Sequence, residues 1–515
     1  MENVFTEALT NEINDEKILS ENGAVMNDTT GNKLLDCWYK LSSMRNMEEF
    51  EISRMFSEAF YENERLAKRF MFYVLDMRGG AGERRTFKTM FSWLVNNRTD
   101  EASKLVSLIP YYGRWDILVD FLGSVIDETV FNIIVKQLTE DLKNEKDGKD
   151  ISLLAKWMPS INTSSEKKRQ MACSLSCRMK MSPKKYRKML SRLRKKINIV
   201  ERQISANNWG DVDYSAVPSK ANLLYKDAFL RHDAERRNKF LSDLQNGENG
   251  VKINSSVCFP HDIVHKYCPS LKLEYGNTYT IIDRDDIALE EMWKSLPNYV
   301  NGDETTIVVH DSSGSMTDCV GGGTLTAYEV ATSLAIYFSE RCRGAYKDKF
   351  ITFSENPKYI DLSKCKTLRE KLNYIFSWSE YANTNIARTM DLILDAAVKN
   401  NLKECDIPSI LIISDMEFDD QVKCCDDGGY GIDDTVLMKQ IEKKFNNAGY
   451  KMPKISYWNV CNRSGGIPCT ARDSGVSIVS GFSPSAVKMV LSNKDNPYDA
   501  LCEVLNDKRY DKVDC

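Results

Sequence analysis

Residues 306–311 read Thr-Ile-Val-Val-His-Asp, a β-branched run that stops at a carboxylate, and the loop after it carries Ser312, Ser313, Gly314 and Ser315. A run this apolar leaves no face for water, so it reads as a strand buried on both sides. Such a strand needs sheet neighbours and a layer of helices above and below. That requirement commits the C-terminal part of the chain to a layered α/β sheet. Glycines at 321–323 and a helix-patterned run from Thr326 through Tyr337 follow, as the next parts of such a unit.

Asp311, Ser313 and Ser315 offer one carboxylate and two neutral hydroxyls, an oxygen-only set of low charge that suits Mg²⁺ or Mn²⁺. A cation held by so little negative charge can take a carboxylate or phosphate oxygen from another molecule as a further ligand. Two later segments end where a parallel sheet gathers its loops. Asn383-Thr384-Asn385 opens a helix-patterned run, and the apolar strand Ser409–Ser414 ends at Asp415. The residues alone leave open that these are three unrelated polar loop ends. Together they resemble the von Willebrand factor A domain and its metal-ion-dependent adhesion site. That resemblance implies that Asp311, Ser313, Ser315 and Thr384 are direct ligands of Mg²⁺ (or Mn²⁺) and that Asp415 acts through water.

From residue 303 onward, short apolar runs alternate with helix-period runs to the end of the chain, which predicts a doubly wound, Rossmann-like parallel sheet over 300–515. Residues 36–299 carry the 3.6-residue period instead, as in Ala67, Phe70, Met71 and Val74, then Phe87, Met90, Phe91 and Leu94. Successive helices of two to three turns predict an all-α, solenoid-like region, without a clean sequence repeat. Residues 1–35 are acidic and polar with no sustained period, which predicts a mobile arm.

Net charge is uneven. The whole chain is at −4, which excludes a uniformly basic coat, yet residues 164–204 hold fourteen Lys and Arg against two acids. Ser182 and Pro183 are good first residues for a helix in which Tyr186, Met189, Leu190, Leu193, Ile197, Val200 and Ile204 keep one apolar face. Lys184, Lys185, Arg187, Lys188, Arg192, Arg194, Lys195 and Lys196 fall mainly off that face. The stripe reads as a nucleic-acid groove, as an ordinary solvated face, or as a surface for a membrane or an acidic partner.

Two breaks in the helical region carry their own chemistry. Arg78-Gly79-Gly80-Ala81-Gly82-Glu83-Arg84-Arg85 leads into a helix and reads either as a tight helix–helix turn or as a phosphate loop, but lacks the Gly-Lys-Ser/Thr of a nucleotide-hydrolysing loop. In Tyr111-Tyr112-Gly113-Arg114-Trp115-Asp116, Arg114 and Trp115 can stack on bases or brace a turn, and Trp209 poses the same alternative. Cys258, His261, His265 and Cys268 have a spacing that zinc can use, although a helix beginning at Pro260 with ordinarily hydrogen-bonded histidines is simpler.

Fifteen cysteines with no Cys-x-x-Cys pair, and no apolar run of membrane-spanning length, predict reduced thiols in a cytoplasmic protein without a membrane anchor. With so few histidines no Ser-His-Asp or Cys-His set assembles by spacing, and Asp311-x-Ser313 lacks the second acid of a phosphotransfer loop, so the reading is non-enzymatic.

A helical region followed by an A-like domain is the layout of the TROVE proteins, which include the Ro ribonucleoproteins. Local motifs are closer to the domain of unknown function 2828 family: Gly79–Arg84, Tyr112–Asp116, Lys156-Trp157-Met158-Pro159-Ser160, Val217-Pro218-Ser219-Lys220-Ala221 and Ser480-Gly481-Phe482-Ser483. The resemblance implies HEAT-like helical pairs in a ring closed by the A domain, and binding of structured or misfolded RNA along a basic rim and hole; the partner expected here is RNA, structured or at single-stranded ends. The leading expectation is an RNA-binding, ribonucleoprotein-type chain with a metal-dependent site. A metal-dependent adaptor that captures an acidic protein ligand without RNA is the alternative.

Overall fold

In the computed structural model the described residues are 17–197, 199–268, 270–272, 278–281, 284–300, 306–321, 323–353, 357–377, 385–419, 437–492 and 494–514. They form two compact units. One takes the chain to Tyr73, Gly79–Ala81 and Ser255–Asp514, and the other takes Val74–Arg78 and Gly82–Asn254.

The first unit is built on a six-stranded sheet. Strands β1 (Lys17–Leu19) and β2 (Val25–Asn27) pair as a hairpin, β3 (Ser270–Lys272) and β4 (Thr278–Thr280) as another. The large sheet then follows from β5 (Thr306–Asp311), β6 (Lys349–Phe353), β7 (Lys358–Asp361), β8 (Ser409–Ser414), β9 (Ile455–Asn459) and β10 (Val476–Ser480). Its order is β10-β9-β8-β5-β6-β7, with every pair parallel except β6 and β7. The sequence predicts a parallel sheet throughout. The exception has a simple cause: only residues 354–357 separate β6 from β7, too few for the crossover that a parallel pair requires.

The apolar runs sit where their composition demands. All six residues of β5 are buried, as are Ile410 to Ser414 of β8, between helical layers. The Ala327–Arg341 helix is buried continuously from Ala327 to Ser339, because it packs on β5 and β8 while the Pro260–Tyr267 helix covers it from outside. Thr326 caps it: its hydroxyl accepts from the Glu329 N–H, and the Glu329 carboxylate accepts from the Thr326 N–H.

The N-terminal residues differ from the expected mobile arm over 1–35. From Lys17 on they are part of the sheet unit. Asn27 and Ile467 exchange backbone hydrogen bonds of 2.9 and 2.8 Å, and Trp38 donates its indole N–H to the Ile478 carbonyl on β10 at 3.1 Å. The Lys33–Tyr39 helix buries Leu34, Leu35, Cys37, Trp38 and Tyr39 against that edge. A long sheet edge exposes unpaired backbone groups, and covering it is the physical gain. The expected helical block 36–299 is likewise shared out, since residues to Tyr73 and from Ser255 group with the sheet.

The second unit is helical throughout. Its long members are Arg84–Asn97, Asp127–Lys146, Glu166–Arg178, Pro183–Ile197, Ser219–His232 and Ala234–Asn246. Phe87, Met90, Phe91 and Leu94 are all buried, as their period predicts.

Candidate functional site

Two strand ends of the first unit, those of β5 and β8, bring oxygens together. Asp311, the last residue of β5, is fully buried and accepts from the Ser313 N–H at 2.9 Å and from the Ser414 hydroxyl at 2.5 Å. The Ser313 and Ser315 hydroxyls lie 3.0 Å apart. Asp415, just past β8, is fully buried and is bonded by the Ser315 side chain. Burial pushes both carboxyls above the usual range, and the charge of Asp311 raises Asp415 further. Four of the five residues expected at the metal site thus meet in one largely buried cluster of oxygens. Thr384 lies outside the described residues.

Three neighbours of this cluster have no signature in the sequence. Ser414 orients Asp311. Glu417, also fully buried, accepts the backbone N–H groups of Glu21, Arg463 and Ser464 at 2.8, 2.8 and 2.9 Å, fixing the loop after β8. Between the two acids Met416 holds a left-handed φ of 65°, a conformation that such anchoring must impose on a side chain. Arg463 then spans the rim, donating to Glu21 (2.9 and 2.7 Å), Asp318 (2.6 Å) and the Ser315 carbonyl (3.2 Å), with Asp415 at 3.4 Å. The only outward signal is its place after a strand, in Asn-Arg-Ser-Gly-Gly.

The histidines are spoken for elsewhere. His310 is enclosed in the sheet, Nε2 on the Thr332 hydroxyl at 3.0 Å, and burial pushes it down to about 3. His265 faces Glu329 at 3.0 Å and Thr324 at 3.2 Å, His261 packs edge-on against Phe482, and His232 stacks flat on Trp209 at 4.4 Å. The helix beginning at Pro260 is present, and among the described residues no group of three or more His, Cys, Asp or Glu is arranged to hold a metal.

The basic stretch of the second unit is a helix over Pro183–Ile197 with Tyr186, Met189, Leu190 and Leu193 buried. Its cations divide by what they touch. Arg194 is half-buried and structural: Nε and Nη2 donate to the Ala155 and Met158 carbonyls at 2.8 and 2.7 Å, and Nη1 to the Ser160 hydroxyl at 2.8 Å. Arg192 forms a two-point pair with Glu145, and Lys196 donates to the Gly148 carbonyl at 3.1 Å. Lys184, Lys185, Arg187, Lys188 and Lys195 are exposed and, like Arg202 just beyond, have no hydrogen-bond or ion-pair partner for their side chains among the described residues. Of the eight helix cations expected to bind RNA, three are therefore engaged within the unit and five are free to meet a ligand.

Arg114 belongs with the engaged set. It pairs with Asp116 and lies over the Trp157 ring at 4.1 Å, so it braces the turn, while Trp115 opens the next helix half-exposed. Trp209 is held by His232 and by an indole bond to Asn207 at 2.7 Å. The glycine-rich break is a tight turn between helices: Ala81 N–H returns to the Tyr73 carbonyl at 3.0 Å and Glu83 N–H to Val74 at 2.7 Å.

Residues 125–301 match the family model described as Domain of unknown function (DUF2828), and residues 305–513 match that of Domain of unknown function (DUF7788). The chain is 27% identical over 527 residues to the Uncharacterized protein L728 of Acanthamoeba polyphaga mimivirus, an alignment covering 94% of this chain and 86% of that one. Among solved structures it is similar to the RO (RSR) protein of Deinococcus radiodurans, with 14% identity, a TM-score of 0.46 and coverage of 87% of this chain and 92% of the other. The DUF2828 match takes in the Lys156–Ser160 and Val217–Ala221 motifs and the basic helix, and the DUF7788 match takes in the strand-end oxygen cluster.

Proposed function

We propose that this chain is a non-catalytic RNA-binding protein whose sheet unit also carries a divalent-metal-dependent ligand site. The carrying observation is the basic helix over Pro183–Ile197: its apolar face is committed to packing, and five exposed cations have no partner among the described residues. Unneutralised cations in a row are the footprint of a polyanion. The family resemblance read in the sequence directs the choice to RNA, with the helical unit as HEAT-like pairs and the sheet unit as a von Willebrand A-like domain.

The donor chemistry of the strand ends fits a hard cation. Asp311, Ser313 and Ser315 would hold Mg²⁺ or Mn²⁺ together with Thr384, and Asp415 would act through water, as in the A-domain resemblance. Two buried carboxyls with pKa values raised by burial, one of them raised further by the other's charge, form a site that a divalent cation would relieve. The bound ion would supply an electropositive position for an acidic oxygen from a partner. A second reading rests on this cluster alone: a metal-dependent protein adaptor without RNA.

The test is purification of the full chain from its host with and without nuclease treatment, followed by sequencing of bound nucleic acid and gel-shift titration with single-stranded and structured RNA. Co-purifying RNA and saturable gel shifts are expected. A protein that comes away free of nucleic acid and shifts no RNA, yet captures an acidic peptide only with Mg²⁺ or Mn²⁺, would establish the adaptor reading instead.

A further inference from the structure

One flank of the basic helix is hollow. A cleft of about 420 Å³ opens between this helix, residues 160–162 and Arg202. Its size falls within the range of small-molecule sites, about 300–1,000 Å³.

The lining sorts into three chemical groups. Arg187, Lys188 and Arg202 are exposed cations whose side chains have no partner among the described residues, and the lining holds no acidic side chain. Arg194, tied to three oxygens of 155–160, fixes the wall and adds its charge without being free to move. Ile161 gives the cleft its apolar side, backed by the buried Leu190 and Tyr186, the Tyr186 hydroxyl being already donated to the Pro159 carbonyl at 3.0 Å. Asn162, Ser160 and Ser191 add neutral donors and acceptors at the edge.

A ligand that satisfies all three groups has a compact multiple anion, a flat apolar body and polar edges. A small carboxylate lacks the charge for three cations, and inorganic phosphate lacks the body. We propose that this cleft seats one nucleoside monophosphate unit, its phosphate held by Arg187, Lys188 and Arg202 and its base against Ile161. The unit is either the phosphorylated end of a strand or a free nucleotide. The strand-end source rests on the RNA reading above, whereas the cleft's chemistry does not.

Calorimetry on the full chain with AMP, UMP and inorganic phosphate tests the cleft, and competition between 5′-phosphorylated and 5′-hydroxyl short RNA tests the source. Expected are saturable AMP and UMP binding, weaker inorganic phosphate binding, and a preference for the phosphorylated end. In the Arg187→Ala/Arg202→Ala variant nucleotide affinity falls about tenfold or more, with an unchanged melting curve because both side chains are exposed and unpaired. A Lys184→Gln/Lys185→Gln/Lys195→Gln variant, altered outside the cleft, keeps nucleotide binding and loses RNA affinity. Equal nucleotide affinity in wild type and the Arg187/Arg202 variant overturns the assignment, as does inorganic phosphate binding as tightly as AMP. Nucleotide binding without RNA binding keeps the cleft and removes the RNA reading. RNA binding without end preference or nucleotide binding does the reverse.

Discussion

The salt dependence of RNA binding can be worked out from the side chains that are free to act. Six cations of the basic surface, Lys184, Lys185, Arg187, Lys188, Lys195 and Arg202, have no partner for their side chains among the described residues. If each neutralises one phosphate of a single strand, log affinity falls against log salt with a slope of about −0.7 × 6, or about −4. Raising salt from about 50 to about 200 mM then weakens binding about 300-fold. Replacing Lys184, Lys185 and Lys195 by Gln removes three contacts, so the slope becomes about −2 and the same salt step costs only about 20-fold. The difference of about 2 in slope holds even if other cations of the unit also touch the strand. Gel shifts or fluorescence anisotropy at four salt concentrations measure it, with a melting curve beside them, since exposed helix positions should each shift stability by about 0.5 kcal/mol or less. A triple variant with the wild-type slope would refute the placement of RNA on this helix. A wild-type slope near zero would refute the electrostatic reading altogether.

Other expectations follow from the engaged residues. Arg194→Ala should destabilise the helical unit by about 2–4 kcal/mol, because it leaves the Ala155 and Met158 carbonyls and the Ser160 hydroxyl without their donor; a melt within about 0.5 kcal/mol of wild type would contradict this. Arg69 is buried and grips Asp514 at 3.0 and 2.5 Å, Asp511 at 3.0 Å and the Leu505 carbonyl at 3.0 Å, so Arg69→Met should cost about 2–3 kcal/mol. That figure lies below the about 3–5 kcal/mol of a fully buried pair because the Asp511 and Asp514 side chains are 61% and 27% exposed. Mn²⁺ at a hundred times its dissociation constant should stabilise the wild type by about 2.7 kcal/mol and leave Asp311→Ala unmoved, read as a melting shift; equal shifts would remove the metal site. The Glu329 carboxylate raises the His265 pKa above its ordinary 6.5, so the protonated pair stabilises the fold below that value, and the gain is lost as pH rises through the raised folded value. His265→Gln should flatten the fall in melting temperature as pH rises above 6.5, and an unchanged profile would exclude the pair as its source.

The sheet was legible because its strands are buried on both faces. Ile307 to Val309 and Ile410 to Ile413 cannot sit anywhere else, and their terminal acids mark the end of the sheet where loops collect. The N-terminal contribution was not legible. Residues 17–39 carry too short an apolar pattern to announce a partner, and what fixes them is backbone pairing of Asn27 with Ile467 and a Trp38 indole bond to Ile478, more than four hundred positions away. Hydrogen bonds between backbone groups leave no trace in residue type. The antiparallel edge was legible in principle from the four-residue spacing of β6 and β7, a length that excludes a crossover.

The same logic separates the two candidate sites. At the strand ends, residue type and spacing both speak, because ligands delivered by strand termini must be short-range neighbours of apolar runs. Glu417 and Arg463 stay hidden there, since a buried acid satisfied by backbone N–H groups needs no complementary residue at any fixed spacing. On the basic helix, composition identifies the cations but not their employment. At 100° per residue Lys184, Lys188 and Lys195 fall within about 40° of one another on the side opposite Tyr186 and Leu193, whereas Arg192 and Lys196 sit on one flank and Arg187 and Arg194 on the other. The first flank meets Glu145 and Gly148, which engage Arg192 and Lys196, while Lys185 on the same flank, two turns nearer the helix start, stays free. The second meets neutral oxygens and a hollow, so Arg194 becomes a strut while Arg187 remains open. A helical wheel shows which cations face outward, and only the tertiary neighbours decide which of them still carry charge that a polyanion can use.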